Sequence, residues 1–210
     1  MLKYLLIPLF VLWTSSAAAT GTVILLADIS SSISQENLNL QLDSYAAAMT
    51  SVGGLYSVHV EAIVFDNVPV LISSGTNVAA ATAFAAHPRL SDMDRGSTCL
   101  ADALLFVEAR IPDLPQPVVL DISGDGEANC TNSDSIPATL DRIAALGVQI
   151  NTLFINSGDD QLMAGPDFLD PYSFYQTLTR NDGFTMLANG FMEFELSLFD
   201  KLTLELAFLQ

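Results

Sequence analysis

The chain has 210 residues, half of them hydrophobic, which is enough for one domain with a sizeable core and a short appendage. Its 24 acidic against 7 basic residues leave a formal charge of -17. Such a surface repels phosphate, which argues against nucleic acid and anionic membranes as partners and favours cations and basic surfaces; solubility alone is the plainer account of the same charge.

The amino terminus has the layout of an export signal. Lys3 supplies a positive start, and Tyr4 to Trp13 is an apolar run shorter than the roughly 20 residues that span a bilayer. Ala17-x-Ala19 is a small-residue cleavage signal, so cutting is expected after Ala19, leaving one domain over 20–210. An uncleaved anchor is the alternative; no later stretch is apolar enough to span, so no stable membrane insertion is expected after cleavage. In an oxidising compartment the two cysteines, Cys99 and Cys130, are read as a disulfide, against the alternative of two buried thiols.

Thr20 to Asp28 is an unbroken apolar run ending on an acid, the pattern of a central strand buried on both faces. Ser34 to Val52 places Leu38, Leu42, Tyr45, Ala46 and Met49 at helical spacing, with Ser34 as a cap and Gly53-Gly54 as a stop. Tyr56 to Phe65 reads as a strand and Val68 to Ile72 as a short edge strand across an Asp66-Asn67 turn. Thr76 to His87 is an alanine-rich helix closed by Pro88. The alternation continues with a helix over Cys99–Ala109, a strand over Pro117–Ile122, a helix over Ser135–Leu146 and a strand over Val148–Ile155. After a long polar loop, Ser157 to Pro171, come a helix over Tyr172–Arg180, a short strand over Phe184–Leu187 and an amphipathic helix over Phe191–Phe208. There is no internal repeat or low-complexity segment. Strands alternating with helices imply right-handed βαβ units: a doubly wound three-layer α/β/α sandwich, mostly parallel, with one short antiparallel edge strand. In such sheets ligands bind beyond the carboxyl ends of the strands, where the strand order reverses.

At those ends lie three chemical pieces. The first strand runs into Asp28-Ile29-Ser30-Ser31-Ser32, with no glycine of the kind a nucleotide-binding turn needs. A carboxylate with alternating hydroxyls is a hard-oxygen set suited to Mg²⁺, Mn²⁺ or Ca²⁺; a serine-rich helix cap is the alternative. Gly96-Ser97-Thr98 brings another hydroxyl just before a helix, and Ser123-Gly124-Asp125-Gly126 presents an acid between two glycines that would let the backbone turn sharply. Taken singly, Thr98 reads as a cap and Asp125 as a turn residue.

Together the three pieces resemble the von Willebrand factor type A (vWA) domain, whose metal-ion-dependent adhesion site (MIDAS) is written D-x-S-x-S, then T, then D. Asp28, Ser30 and Ser32 match the first part, Thr98 in Gly96-Ser97-Thr98-Cys99-Leu100-Ala101-Asp102-Ala103-Leu104 the second, and Asp125 the third. Val119-Leu120-Asp121-Ile122-Ser123-Gly124-Asp125-Gly126 is similar to the V-x-D-[VI]-S-G-D-G segment of a bacterial, secreted branch of vWA-like proteins of uncharacterised function. Three positions depart from the commoner pattern: Ser31 and Ser97 stand for glycines and Gly124 for a threonine. None removes a coordinating group.

The resemblance implies a non-enzymatic, metal-dependent binding module, periplasmic or secreted. Its Mg²⁺, Mn²⁺ or Ca²⁺ would be held by Asp28, Ser30, Ser32, Thr98 and Asp125, with a carboxylate from a protein partner completing the metal's coordination. A Cys99–Cys130 bridge would tie two of the metal-bearing loops together; closing a loop of about thirty residues contributes around 3 to 4 kcal/mol. The rivals are a metal-free scaffold with a degenerate site and a metal-dependent phosphoesterase, for which Arg95 is the basic candidate near the strand ends and Lys201 lies in the last helix. Asp66 could approach the metal but reads better as a turn residue, and Asp121, inside a strand, needs a partner. Glu127, Asn129 and Asp159-Asp160 read as loop residues, and His59 as a strand residue with a satisfied ring.

Overall fold

The computed structural model describes residues 21–53, 55–126, 128–130, 133–156 and 170–209. The signal expected over 1–19, Glu127 and Asp159-Asp160 lie outside the described residues, as does most of the loop after Ile155. Among the described residues the strands are β1 (Thr22–Asp28), β2 (His59–Phe65), β3 (Pro69–Thr76), β4 (Val118–Gly124), β5 (Gln149–Ile155) and β6 (Thr185–Ala188). The α-helices are α1 (Gln35–Gly53), α2 (Asn77–Ala86), α3 (Leu100–Arg110), α4 (Ile136–Ala145), α5 (Pro171–Leu178) and α6 (Phe191–Phe208).

The sheet runs β3-β2-β1-β4-β5-β6. Every pairing is parallel except β2 with β3, which is antiparallel and bulged at Ala62/Ile63. The order therefore reverses between β1 and β4, and the crevice beyond their carboxyl ends is the place this topology offers a ligand.

Both faces of the sheet are covered, so β1, β4 and β5 are buried along their whole length. Alternation along β1 sends Val23, Leu25 and Ala27 into a core shared with α1, α2 and α6, and Ile24 and Leu26 into one shared with α3, α4 and α5. Continuous apolar runs are what a two-sided strand requires, and truncating Leu25 to alanine would cost roughly 2 to 5 kcal/mol. Three of the helices, α1, α2 and α5, begin on side-chain caps. Asn37 N–H donates to Ser34 Oγ at 3.2 Å, Ala79 N–H to Thr76 Oγ1 at 3.3 Å and Ser173 N–H to Asp170 Oδ1 at 3.0 Å.

The expected elements are all present, with two clear differences: β2 begins at His59 rather than at the expected Tyr56, and β3 is longer than expected. The edge strand β3 reaches Thr76, beyond the expected Ile72, because Ser73 to Thr76 pair with Ala62 to His59 of β2. His59 has a satisfied ring, its Nε2 3.1 Å from Glu61 Oε1. No helix among the described residues is long and apolar enough to cross a membrane.

Candidate metal centre

The end of β1 delivers Asp28 fully buried, and the turn after it has Ser30 buried and Ser31 and Ser32 at the surface. Asp28 Oδ1 accepts from Ser30 N–H at 2.8 Å, a bond that curls the turn back over the carboxylate. The turn lacks glycine, so other residues shape it. Arg95 is buried beneath it and donates through Nη1 to the carbonyls of Ile29 (3.2 Å) and Ser30 (2.7 Å) and through Nη2 to that of Ile33. Gln41, nearly two turns into α1, donates through Nε2 to Asp28 O at 2.9 Å.

Thr98 arrives from the loop before α3, and three neighbours hold that loop. Asp66 Oδ2 accepts from Gly96 N–H (3.1 Å) and its carbonyl from Cys99 N–H (3.0 Å). Asn67 Oδ1 accepts from Ser97 N–H at 2.8 Å. Asn129 Oδ1 accepts from Thr98 N–H at 2.9 Å, while Asn129 N–H donates to Thr98 O at 3.2 Å. Gly96 is required because a Cβ there would lie 2.0 Å from Asn67 Nδ2. Cys99 and Cys130 form a disulfide with Cα atoms 5.0 Å apart, joining this loop to the one after Asp125.

Four of the five candidate residues form one chain of side-chain hydrogen bonds, which Asp28 joins through Ser30 N–H. Thr98 Oγ1 donates to Ser30 Oγ at 2.9 Å, Ser30 Oγ and Ser32 Oγ share a hydrogen at 2.9 Å, and Ser32 Oγ donates to Asp125 Oδ1 at 2.8 Å. Asp28, Ser30, Thr98 and Asp125 are 9 % exposed or less, and Ser32 is the member that opens to solvent. Asp28 is pushed up from the usual carboxylate range to about 7, first by burial and then by the charge of Asp125; the bonds from Ser30 and the charge of Arg95 oppose this. Its Oδ2 is buried with no hydrogen-bond partner. Two carboxylates beside three hydroxyls suit a hard divalent cation in chemistry and in charge. No three His, Cys, Asp or Glu side chains gather into a metal-binding group among the described residues, so any ion here would depend on the hydroxyls.

The remaining candidates fall elsewhere. Asp121 points to the α6 side, where Lys201 Nζ lies 2.9 Å from its Oδ2 as an ion pair without hydrogen-bond alignment. Asp66 positions the Thr98 loop. Gly124 does not take a left-handed φ, so its smallness serves space: a Cβ there would lie 2.2 Å from Tyr175 Oη and 2.9 Å from Asp28 Oδ2. Tyr175 is a neighbour that sequence reasoning did not find. Burial, then Asp28 and Asp125, push its phenol well above its ordinary range. Every Lys and Arg among the described residues already has a partner: Arg89 with Asp43, Arg110 with Glu61, Arg142 with Glu108, Arg180 with Asp141, Lys201 with Asp121 and Glu205, and Arg95 with the turn carbonyls.

The sequence pattern of a family described as protein of unknown function (DUF1194) matches residues 70–210. No curated protein matches the chain by sequence. Among solved structures, the chain is similar to proximal thread matrix protein 1 from the mussel byssus, with a TM-score of 0.65 and 19 % identity over 90 % of this chain and 48 % of that one. A structure of that protein with a zinc-occupied MIDAS motif gives 0.64 and 18 %, over 90 % and 48 %. A von Willebrand factor type A protein from Catenulispora acidiphila gives 0.60 and 11 %, over 90 % and 42 %. The conserved hypothetical protein BatB from Bacteroides thetaiotaomicron gives 0.60 and 14 %, over 89 % and 98 %. The chain thus spans about half the length of the byssus protein. At these identities the likeness is one of fold, and the fold is vWA-like.

Proposed function

The chain belongs to the family described as protein of unknown function (DUF1194) and has a vWA-like fold, and from that premise we propose that it is a metal-dependent binding module of the periplasm or the extracellular space. The observation that carries this reading is the convergence of Asp28, Ser30, Ser32, Thr98 and Asp125 on one point at the β1/β4 crevice. A Mg²⁺, Mn²⁺ or Ca²⁺ ion held there supplies an oxygen-seeking positive centre that a partner's carboxylate can complete. The chain's own groups do the rest. Ser30, Ser32 and Thr98 offer neutral oxygens, Asp28 and Asp125 offset the ion's charge, and Arg95, Gln41 and Asn129 hold the backbone that carries them.

Charge restricts where an acidic group of a partner could make contact. The formal charge is -17, and each described cationic side chain is already engaged, so a carboxylate approaching this surface meets repulsion except at a bound ion. The Cys99–Cys130 disulfide supports export, in keeping with the signal read over residues 1–19.

One rival has an observation in its favour. The three hydroxyls are already bonded to one another and to Asp125, as a metal-free scaffold would have them. The phosphoesterase reading has less, because Arg95 is only 6 % exposed and bonded to the turn. Isothermal titration of the protein with Mg²⁺, Mn²⁺ and Ca²⁺ separates the first two. Heat that disappears in Asp28→Ala is expected; no heat with any ion, or the same heat in the variant, would rule out the metal reading. Affinity capture with and without EDTA then isolates partners held through the ion.

A further inference from the structure

We propose that Tyr175 of α5 is a positioning residue of the metal centre, its phenol bracing Asp28 in the space that Gly124 leaves open. This rests on the metal reading above. Asp28 uses Oδ1 to accept from Ser30 N–H, while Oδ2, on a residue with no exposed surface, has no partner. A buried carboxylate oxygen without a donor is costly, and the arrangement calls for a group to serve it.

The geometry names that group. A Cβ at Gly124 would lie 2.2 Å from Tyr175 Oη and 2.9 Å from Asp28 Oδ2. The two oxygens are not hydrogen-bonded to each other, yet they are separated by no more than the sum of those distances, within reach of one bridging water. Any side chain at 124 would displace the phenol, so Gly124 and Tyr175 are a matched pair: one omits the atoms that the other supplies. The ring is held in place by aromatic packing, with Phe154 at 5.4 Å and Phe174 at 5.8 Å between centroids. A phenol carries one O–H donor, which suits an orphaned carboxylate oxygen. Held by Ser30 on one oxygen and, through such a water, by Tyr175 on the other, Asp28 would present its charge to the ion in one orientation. Groups that orient a ligand in this way change metal affinity by roughly ten- to a hundredfold when removed.

The test uses the full chain as wild type, Tyr175→Phe, Gly124→Ala and the double variant. Mn²⁺ is the probe, read by calorimetry and by the tyrosine ultraviolet difference spectrum of the chain's five tyrosines. Tyr175→Phe keeps the ring and the packing, so it should fold. It should bind Mn²⁺ about tenfold more weakly and lose the metal-induced tyrosine signal. Gly124→Ala should weaken binding as well, and less so in the Phe background, where the clashing oxygen is gone. Tyr175→Phe with wild-type affinity and an intact signal overturns the proposal, and so does weaker binding with the signal intact, which marks a loosened core. A wild type that binds no Mn²⁺ or Mg²⁺ instead overturns the metal reading itself.

Discussion

Two groups of buried carboxylates sit a few residues apart along β4 and are neutralised in opposite ways. Inside the strand, Asp121 faces α6, where Lys201 is fully buried and pairs with both Asp121 and Glu205, and Asn151 Nδ2 donates to Glu205 Oε1 at 3.0 Å. Burial and then Asp121 push Glu205 above its ordinary range, and Lys201 opposes them. Just past the strand end, Asp125 faces Asp28 instead, its charge raising the cost of charging Asp28, and the nearby Arg95 is bonded to backbone carbonyls. The inner group carries its counter-cation in the covalent chain. The outer group combines two acids with three hydroxyls, an arrangement that a cation from solution would balance. Burying charge is expensive unless it is paired, so the two solutions should fail differently.

The largest contrast comes from removing the inner cation. Lys201→Met leaves Asp121 and Glu205 buried without it and should cost about 3 to 5 kcal/mol in urea unfolding, with no recovery on adding Mg²⁺. A variant as stable as wild type would break the comparison. Removing the cross-link at the outer group, Cys99→Ser with Cys130→Ser, should cost around 3 kcal/mol by the same measurement, because the loop it closes spans 31 residues of sequence. Metal should restore part of that loss, since an ion would tie the same loops.

A smaller effect follows from Asp28, whose folded-state value of about 7 exceeds its ordinary value of 3.8. The folded protein then holds the extra proton between those two values. The stability this contributes is complete at the acid end and is lost as pH rises through about 7, by at most about 1.4 kcal/mol per pH unit. Thermal melts without metal should show that decline, and Asp28→Asn should flatten it. Metal affinity should run the other way, rising with pH up to about 7 as Asp28 gives up its proton to bind. The smallest effect belongs to Ser32, which is exposed: Ser32→Ala should weaken Mg²⁺ binding about tenfold while shifting stability by no more than about 0.5 kcal/mol.

Much of this arrangement was legible in the chain itself. The apolar run ending at Asp28 could only be a strand covered on both sides, and an acid followed by alternating hydroxyls, with no glycine, has few uses at such a strand end. Thr98 and Asp125 joined that pattern only through the resemblance to the vWA site, and the fold brings its members within hydrogen-bonding distance. Element order was equally readable, because hydrophobic period separates strands from helices. The end of β3 was not, since Ser73 to Thr76 join the sheet through backbone pairing with β2 while their side chains carry no strand signal.

What the sequence by itself determined is therefore the local chemistry: which residues end which strands, and which of them bear hard oxygens. Only the tertiary structure decided who holds those residues in place. Arg95 reads as a free cation near the strand ends until it is found beneath the turn. Lys201 reads as a helix residue until Asp121, eighty positions earlier, is found beside it. Gly124 reads as a hinge until Tyr175, from a helix fifty residues later, is found in its missing side chain's place. In each case the partner comes from a distant element, and no local period or spacing records which distant side chains a fold will bring into contact.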